Sequence, residues 1–484
     1  MYVCCSVAVL GFGFASCGNS NDELNNCPFA PFFEDRSLLY GETLTILIPQ
    51  VHHPTVLSIF REARRSLELE LRDYNVTVRL EFFDDPTPDL SMFQQLIYME
   101  MMAGTMTDAL ILLENGASRG DRGIDWRSPS VSRYFADMWP EIRADPDFNE
   151  ENFVTNIFDA MTFGDGSLRV VPEAIRFEAF RANRLVPGLE NAFMAFESVC
   201  IDDLHMLHSK YIVDDYRYMF FNYNPRHVAS ALANEFLCLD NRVASFNSDR
   251  FVDVMTHALE MTNLRQNEAM SGTWYRNYGI AVPELAHSAV YAFMRGMPLM
   301  QIFELIPLEG HEHLFSTAIP YTNSQGELLI TPLNPFAISA SSSYAQRVLA
   351  WKYIKRLTSI DALNAHPAHS PAIIIYRPRL HKQIYFQVSA WYPRYRTLTN
   401  IFSNVSFHIT GHSLSLPEDE ALEVAMKFYS KVSNMPMVLH YPFQRSIAYA
   451  IEYAAESIRY GIVLPSQAAA TLQNRVMLIL MEGN

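Results

Sequence analysis

The 484 residues carry a formal net charge of −16, with 49% hydrophobic and 13% aromatic side chains. That is enough apolar material for cores in two or three domains or lobes, and an acidic chain without a Lys/Arg stripe argues against nucleic acid as a partner. The six cysteines, Cys4, Cys5, Cys17, Cys27, Cys200 and Cys238, form no CxxC pair, which excludes a zinc knuckle and a thioredoxin-type motif; spacing leaves Cys200 and Cys238 as either a disulfide or two separate thiols.

Residues 6–17 are an apolar run that ends in small residues before Cys17. The run is too short to span a bilayer, which takes about 20 apolar residues, and has the length of a signal-peptide core. Phe14-Ala15-Ser16-Cys17 resembles a bacterial lipobox, in which small residues admit the peptidase and the cysteine thiol takes up diacylglycerol. The expectation is a signal peptide over 1–17 ending at a lipidated Cys17. A polar stretch from Gly18 to Asn26 then suggests a flexible tether over 18–40.

The fold is expected to start at Gly41. Thr43–Pro49 alternates Leu44, Ile46 and Ile48 and predicts a strand. Pro54 opens a helix with the stripe Val56, Phe60, Ala63, Leu67 and Leu71. Val76, Val78, Leu80 and Phe82 predict a second strand, stopped by Asp84-Asp85-Pro86. A helix over roughly 91–103 follows, and the apolar run Ala109–Leu113 predicts a strand covered on both faces. Right-handed crossovers make this βαβαβ order a parallel sheet with helices on both sides. Ligands of such sheets sit beyond the carboxyl ends of the strands, here Gln50–His53, Asp84-Asp85 and Glu114–Gly116. No Gly-rich phosphate loop follows the first strand, which argues against a nucleotide. Towards the end of the chain, Ala421, Val424, Ala425, Phe428 and Val432 form one helical core stripe. Ile447, Ala450, Ile451, Ala454 and Ile458 form a second, and Ala469, Leu472, Val476 and Ile479 a third.

These stretches resemble, in order, the extracellular solute-binding proteins of the maltose-binding-protein type, the sugar receptors of ABC importers. The resemblance rests on "MEMMAGTMTDALILLENG" (99–116), Phe135–Met138 with "DPDFNEENF" (145–153), and "FGDGSLRVVPEAIRFEAFRAN" (163–183). It continues through Phe293–Ile302, "ITPLNPFAISASSSYAQRVLAWKYIKRLTS" (330–359) and the closing helix "SQAAATLQNRVMLILME" (466–482). Residues 364–412, rich in Pro, Tyr and Arg, have no counterpart in it. The resemblance implies an α/β, two-lobed periplasmic-binding-protein-like type II fold, each lobe a mostly parallel sheet flanked by helices, with a ligand cleft between. Lobe one would hold 41–173 and 320–365, and lobe two 176–317 and most of 366–484, with the first crossing after Pro172. It further implies a monomeric extracytoplasmic receptor without cofactor, metal or catalytic residues, held to the membrane by its lipid. By hinge closure it would take a mono- or oligosaccharide and deliver it to permease subunits.

A sugar cleft needs aromatic faces for the C–H side of the rings and polar groups for the hydroxyls, because each unpaired buried group costs about 1–3 kcal/mol. Strand ends offer Gln50, His52, Asp84, Glu114 and Asn115. Beyond Pro172 lie Glu173 and Arg176, as ligand contacts or as an ion pair between lobes. Trp274 and Tyr275 fall in a Gly-bounded polar stretch, and Asn334 and Phe336 on the block that approaches the cleft in the resembled family. Trp351 lies in a helix stripe and reads as core. A hydrolase finds little support: no GxSxG occurs, and His311-Glu312-His313 has Phe315 where a zincin needs its second histidine. The run from Asp145 to Glu151 has Glu150 and Asn156 where a calcium loop needs Gly and Glu, so it reads as an acidic turn. A lipoprotein of the same fold that binds a peptide or another small polar solute without transport remains the alternative.

Overall fold

The computed structural model describes residues 27–49, 54–84, 91–112, 124–177, 179–182, 187–211, 218–221, 228–229, 232–238, 242–260, 288–292, 319–359, 373–382, 384–385, 418–439 and 445–482. Strand β1 (Thr43–Pro49) pairs in parallel with β2 (Thr77–Phe83) and with β3 (Ala109–Ile111). Leu44, Ile46 and Ile48 are fully buried, as the alternation predicts. The helix Pro54–Glu70 turns Phe60, Ala63 and Leu67 inward, and the helix Ser91–Ala103 turns in Phe93, Ile97 and Met101. Asp108, just before β3, ties the sheet together: one carboxylate oxygen accepts from the Thr45 backbone N–H at 2.8 Å and the other from Gln346 Nε2 at 2.9 Å. Two later strands complete the sheet, which the order β2-β1-β3-β13-β4 describes, β4 being Val170–Val171 and β13 Phe336–Ile338, both antiparallel to their neighbours.

A second sheet has the order β11-β6-β10-β7, from β6 (Ala179–Ala182), β7 (Tyr218–Phe221), β10 (Ser288–Ala292) and β11 (Ile319–Pro320). A short ladder joins β8 (Leu237–Cys238) to β9 (Val243–Ala244) beside it. The helices Ile201–Tyr211, Asp249–Glu260, Arg445–Arg459 and Pro465–Glu482 close this half over a core that includes Phe180, Leu204, Phe246, Val254, Ile451 and Leu472. Among the described residues no helix is long and apolar enough to cross a membrane.

Between the two stands a four-stranded sheet of order β14-β5-β12-β15: β5 (Ala174–Phe177), β12 (Leu328–Leu333), β14 (Ile373–Ile374) and β15 (Met437–Leu439). Its centre is the antiparallel pair β5/β12, in register from Ile330↔Phe177 to Leu333↔Ala174. Each strand of that ribbon continues at one end into the first sheet, as β4 and β13, and at the other into the second, as β6 and β11. Successive side chains of a strand point to opposite faces. Leu328 and Ile330 accordingly pack in the first core, whereas Leu329 between them packs in the second.

Two expectations change here. Residues 27–40 are not tether. A short helix (Ala30–Glu34) and a 3-10 turn (Arg36–Leu39) lie on the first half, with Phe29 only 2% exposed. Phe29 sits under the Arg347 guanidinium, 4.7 Å from its ring centre, and meets Tyr344 edge-on at 5.0 Å; Lys352 covers Phe33 at 4.9 Å. The aromatic residues in this stretch have apolar faces to bury, and helix Tyr344–Ser359 offers them cations. The second change concerns 366–484, expected mostly in lobe two. Ile375, Leu380 and Ile384 pack in the first core, as do Ala425, Tyr429 and Val432 of the helix Glu418–Ser433; the second core is met again at Val438, against which it packs, and from Ile447 onwards. Residues 360–372 and 386–417 lie outside the described residues.

Phe29→Ala should lower the free energy of unfolding in urea by about 3–5 kcal/mol, the cost of emptying a core aromatic site; a residue in a free tether would leave it unchanged. A pH dependence follows from the pair of helices Ile201–Tyr211 and Asp249–Glu260. His205 stacks on His257 with ring centres 3.5 Å apart, and Glu260 lies 3.4 Å from His205. Burial, then the neighbouring His205, pushes His208 down to about 4 from 6.5. The unfolded chain takes up that proton at 6.5 and the folded chain only near 4. The contribution to stability is therefore complete above the upper value and lost as pH falls between the two. Thermal melts should show the midpoint dropping through this window, with a shallower slope in His208→Gln.

Candidate functional site

The ribbon β5/β12 presents two unlike faces. Ile175 and Phe177 look into the first half with Ile330, and Ile175 and Ile330 are fully buried there. On the other face Ala174 and Arg176 stand opposite Leu333 and Thr331 in the ladder; Tyr376 packs with Ala174 and Leu333 and also against the first core, its ring centre 5.4 Å from that of Phe153. Leu329, on this same face of β12, packs in the second core, so the face looks towards the second half. Arg176, Thr331, Leu333 and Tyr376 are all half-buried. A guanidinium, a hydroxyl and an aromatic ring with apolar neighbours can together hold a polar ligand that also has a hydrocarbon face.

Glu173 and Asn334 occupy the two junctions where the ribbon leaves the first sheet, between β4 and β5 and between β12 and β13. Asn334 Nδ2 donates to Glu173 Oε2 at 2.8 Å. Asn334 has φ 43°, a left-handed conformation that asparagine tolerates better than most residues. Arg379 Nη1 stands 3.5 Å from the other Glu173 oxygen, and the two side chains are 9% and 12% exposed. The same Arg379 nitrogen donates to the carbonyls of Leu357 and Thr358 at 2.8 and 3.0 Å, at the end of helix Tyr344–Ser359. The Ile375 N–H donates to the Glu173 carbonyl at 3.3 Å. Burial and the Glu173 charge push the Tyr353 hydroxyl well above the usual tyrosine range, so it stays a neutral donor to the Phe60 carbonyl at 3.0 Å.

The structure thus brings Glu173 and Asn334 together on the first-half side and sets Arg176 on the opposite face. Asp84 follows β2 and is exposed. Phe336, expected near a ligand, is 1% exposed in the first core with its ring 6.0 Å from Tyr353, because β13 is an inner strand with both neighbours in place. Gln50, His52, Glu114, Asn115, Trp274 and Tyr275 lie outside the described residues, as does Cys17. Sequence reasoning missed Arg379, Thr331 and Tyr376. Alternation from Leu329 would have found Thr331; Arg379 and Tyr376 fall in the stretch that the resemblance left unmatched.

Other candidate chemistry is committed to structure. Lys355 bonds Asp145 at 2.7 Å and Asp147 at 2.8 Å, and Trp351 Nε1 donates to the same Asp145 oxygen at 2.6 Å. Cys200 and Cys238 are not joined by a disulfide, and burial pushes the Cys200 thiol up to about 11, away from the reactive thiolate. Among the described residues no three His, Cys, Asp or Glu side chains are grouped to hold a metal.

No protein-family model matches the chain, and no curated protein matches it. Solved structures do. The chain is similar to the sugar-binding protein MalE from the phytopathogen Xanthomonas citri, with 14% identity over 91% of this chain and 98% of the other, at a TM-score of 0.59. It is similar to an extracellular solute-binding protein family 1 structure from Alicyclobacillus acidocaldarius, with 11% identity over 91% and 99% and a TM-score of 0.51. The cyclic alpha-maltosyl-1,6-maltose binding protein from Arthrobacter globiformis matches with 12% identity over 91% and 99%, also at 0.51. The likeness spans nearly the full length of each of these proteins, and the chain has the two-lobed α/β fold of the extracellular solute-binding proteins.

Proposed function

We propose that the chain is the extracytoplasmic solute-binding receptor of an ABC importer and that its ligand is a carbohydrate, a mono- or oligosaccharide. The observation that carries this reading is the gathering of three chain passages between two separate cores into one sheet, with a half-buried polar face turned towards the second half. Two solved structures of the same fold are named for the sugars they bind. In this reading a ligand touches both halves only when they close, so binding shifts the population towards closure, and the permease subunits recognise that state. Arg176 and Thr331, partners in the ladder, are the ribbon's members of the site. Gln50, His52, Asp84, Glu114 and Asn115 at the strand ends supply further polar groups, and Trp274 with Tyr275 the aromatic faces. Glu173 and Asn334 serve the site from below, through the ribbon. Cys17 carries the lipid that holds a monomeric receptor to the membrane, and capture needs no covalent step.

A thermal-shift screen of mono- and oligosaccharides, with peptides and polyamines as controls, tests the proposal. A sugar at 100 times its Kd should stabilise the protein by about 2.7 kcal/mol. Arg176→Ala should weaken that sugar by about tenfold or more, the loss expected of a charged hydrogen bond, while the ligand-free melting temperature stays within a few degrees. A response confined to the controls, or turnover of a glycoside, would sink the reading.

A further inference from the structure

Open strand edges are where separate chains pair, and proteins blunt them by keeping the end strands short or by placing charges on them. Among the described residues the end strands β4, β8, β9, β11 and β14 have two residues each, β15 three and β7 four. The exception is β2, which ends the first sheet with the seven residues Thr77–Phe83. Its sequence, Thr-Val-Arg-Leu-Glu-Phe-Phe, is rich in β-branched and aromatic side chains and has no Pro or Gly to interrupt a further pairing.

The register shows which backbone groups β1 uses. The Thr77 N–H donates to the Glu42 carbonyl at 3.0 Å, beside the Thr43↔Thr77 pair. Backbone groups alternate in direction along a strand, so Val78, Leu80 and Phe82 turn their N–H and carbonyl groups away from β1. One of these outward donors is taken. The Val78 N–H donates to Glu68 Oε1 at 3.0 Å, from the helix Pro54–Glu70, and Arg64 one turn earlier stands 3.7 Å from the other carboxylate oxygen. A carboxylate on a backbone N–H makes a strong, charge-assisted bond, and it fills the place where a further strand would bring its carbonyl.

The same edge is complementary to itself. Arg79 and Glu81 are exposed on one face of β2, while Leu80 and Phe82 are half-buried on the other, against the first core. Two copies of β2 laid antiparallel about a two-fold axis at Leu80 set Leu80 opposite Leu80, Val78 opposite Phe82 and Arg79 opposite Glu81. The outward-facing residues form the hydrogen-bonded pairs, so each Arg79–Glu81 pair is of the non-hydrogen-bonded kind, in which side chains come closest. The neighbouring registers put Arg79 opposite Arg79 or Glu81 opposite Glu81, and like charges directly opposite repel.

We propose that the outer edge of β2 fits a second copy of this chain, antiparallel and centred on Leu80, and that the Glu68 carboxylate on the Val78 N–H is the contact that keeps the edge closed and the chain monomeric. In the paired state each Val78 N–H must donate to the Phe82 carbonyl of the second copy, which it cannot do while Glu68 holds it. A contact of one strand on one strand is small against the roughly 1,200 Å² that stable association takes, so one blocked donor on each copy decides whether it forms. The inference concerns self-association alone and does not depend on the ligand.

Sedimentation velocity on the full chain tests it, in about 0.15 M salt, where the general repulsion between chains of charge −16 is screened beyond about 8 Å. The wild type should run as a monomer up to high micromolar concentration. Glu68→Ala should dimerise reversibly, with an association constant at least tenfold above any that the wild type shows. Within the Glu68→Ala background, Glu81→Arg should abolish the dimer, as should Arg79→Glu, and the two exchanges together should restore it. Glu68→Asp, which withdraws the carboxylate by one methylene and keeps its charge, serves if Glu68→Ala fails to fold. A folded Glu68 variant that stays monomeric overturns the inference. So does a dimer indifferent to the charge exchanges, which is not paired in this register, or a wild type that already pairs through β2, which Glu68 then does not guard.

Discussion

A two-stranded antiparallel ribbon has only two faces; in this protein one packs in the first hydrophobic core and the other reaches the second core at Leu329. Leu328 and Ile330 go one way and Leu329 the other. Everything between the halves follows from that alternation. The ribbon cannot leave the first core without exposing Ile175 and Ile330, each of which gains about 1.5–3 kcal/mol from burial. It also cannot lose Leu329 from the second. The chain crosses between the two cores three times, and all three passages run through this one small sheet.

The first half owes its rigidity to the helix Tyr344–Ser359. Arg347 forks onto Glu141 at 3.0 and 2.7 Å and also donates to the Asp137 carbonyl; Arg356 reaches Glu70; Lys355 reaches Asp145. Glu141 is fully buried, and burial pushes its carboxyl above the usual range even with Arg347 beside it. Replacing such a pair with apolar residues is often neutral, whereas removing one partner is costly. The value of these pairs is thus positional. They fix the helix that the N-terminal residues 27–39 cover and whose far end Arg379 joins to Glu173. The segment that opens the described chain and the Glu173–Arg379 pair at the ribbon consequently act on one helix.

Much of the first half could be read from period alone. β1 and the stripes of Pro54–Glu70 and Ser91–Ala103 are strong because each buries a regular set of positions. Trp351 also lies in the core, as its stripe predicts. Two features were not legible for one shared reason: periodicity tells which face is buried and not what buries it. Residues 27–40 read as tether because the preceding Gly18–Asn26 is polar, although Phe29, Phe32 and Phe33 are apolar surface in search of a partner. The stripe Ala421, Val424, Ala425, Phe428 and Val432 reads as core, but nothing local assigns it to the first half. The sequence sets Glu173 and Arg176 just beyond the expected crossing at Pro172, whereas the change of core comes between Ala179 and Phe180. That Glu173 and Arg176 face opposite ways follows only from the ladder, where Ile175 between them takes the first core. Arg379 carries no local pattern, and its role comes from a strand pairing some two hundred residues away in sequence.

Register decides which side chains of the ribbon are buried in the first core and which are not. Side chains alternate with period two, so a slip of one residue in β5 would carry Arg176 into the first core and Ile175 out to the half-buried face. The ladder alone would tolerate such a slip. The Glu173–Asn334 bond does not, because a displaced Glu173 takes the acceptor from the Asn334 amide in a region where an unpaired buried group costs about 1–3 kcal/mol. Side-chain alternation and the Glu173–Asn334 hydrogen bond together hold Arg176 on the half-buried face of the ribbon, opposite Thr331.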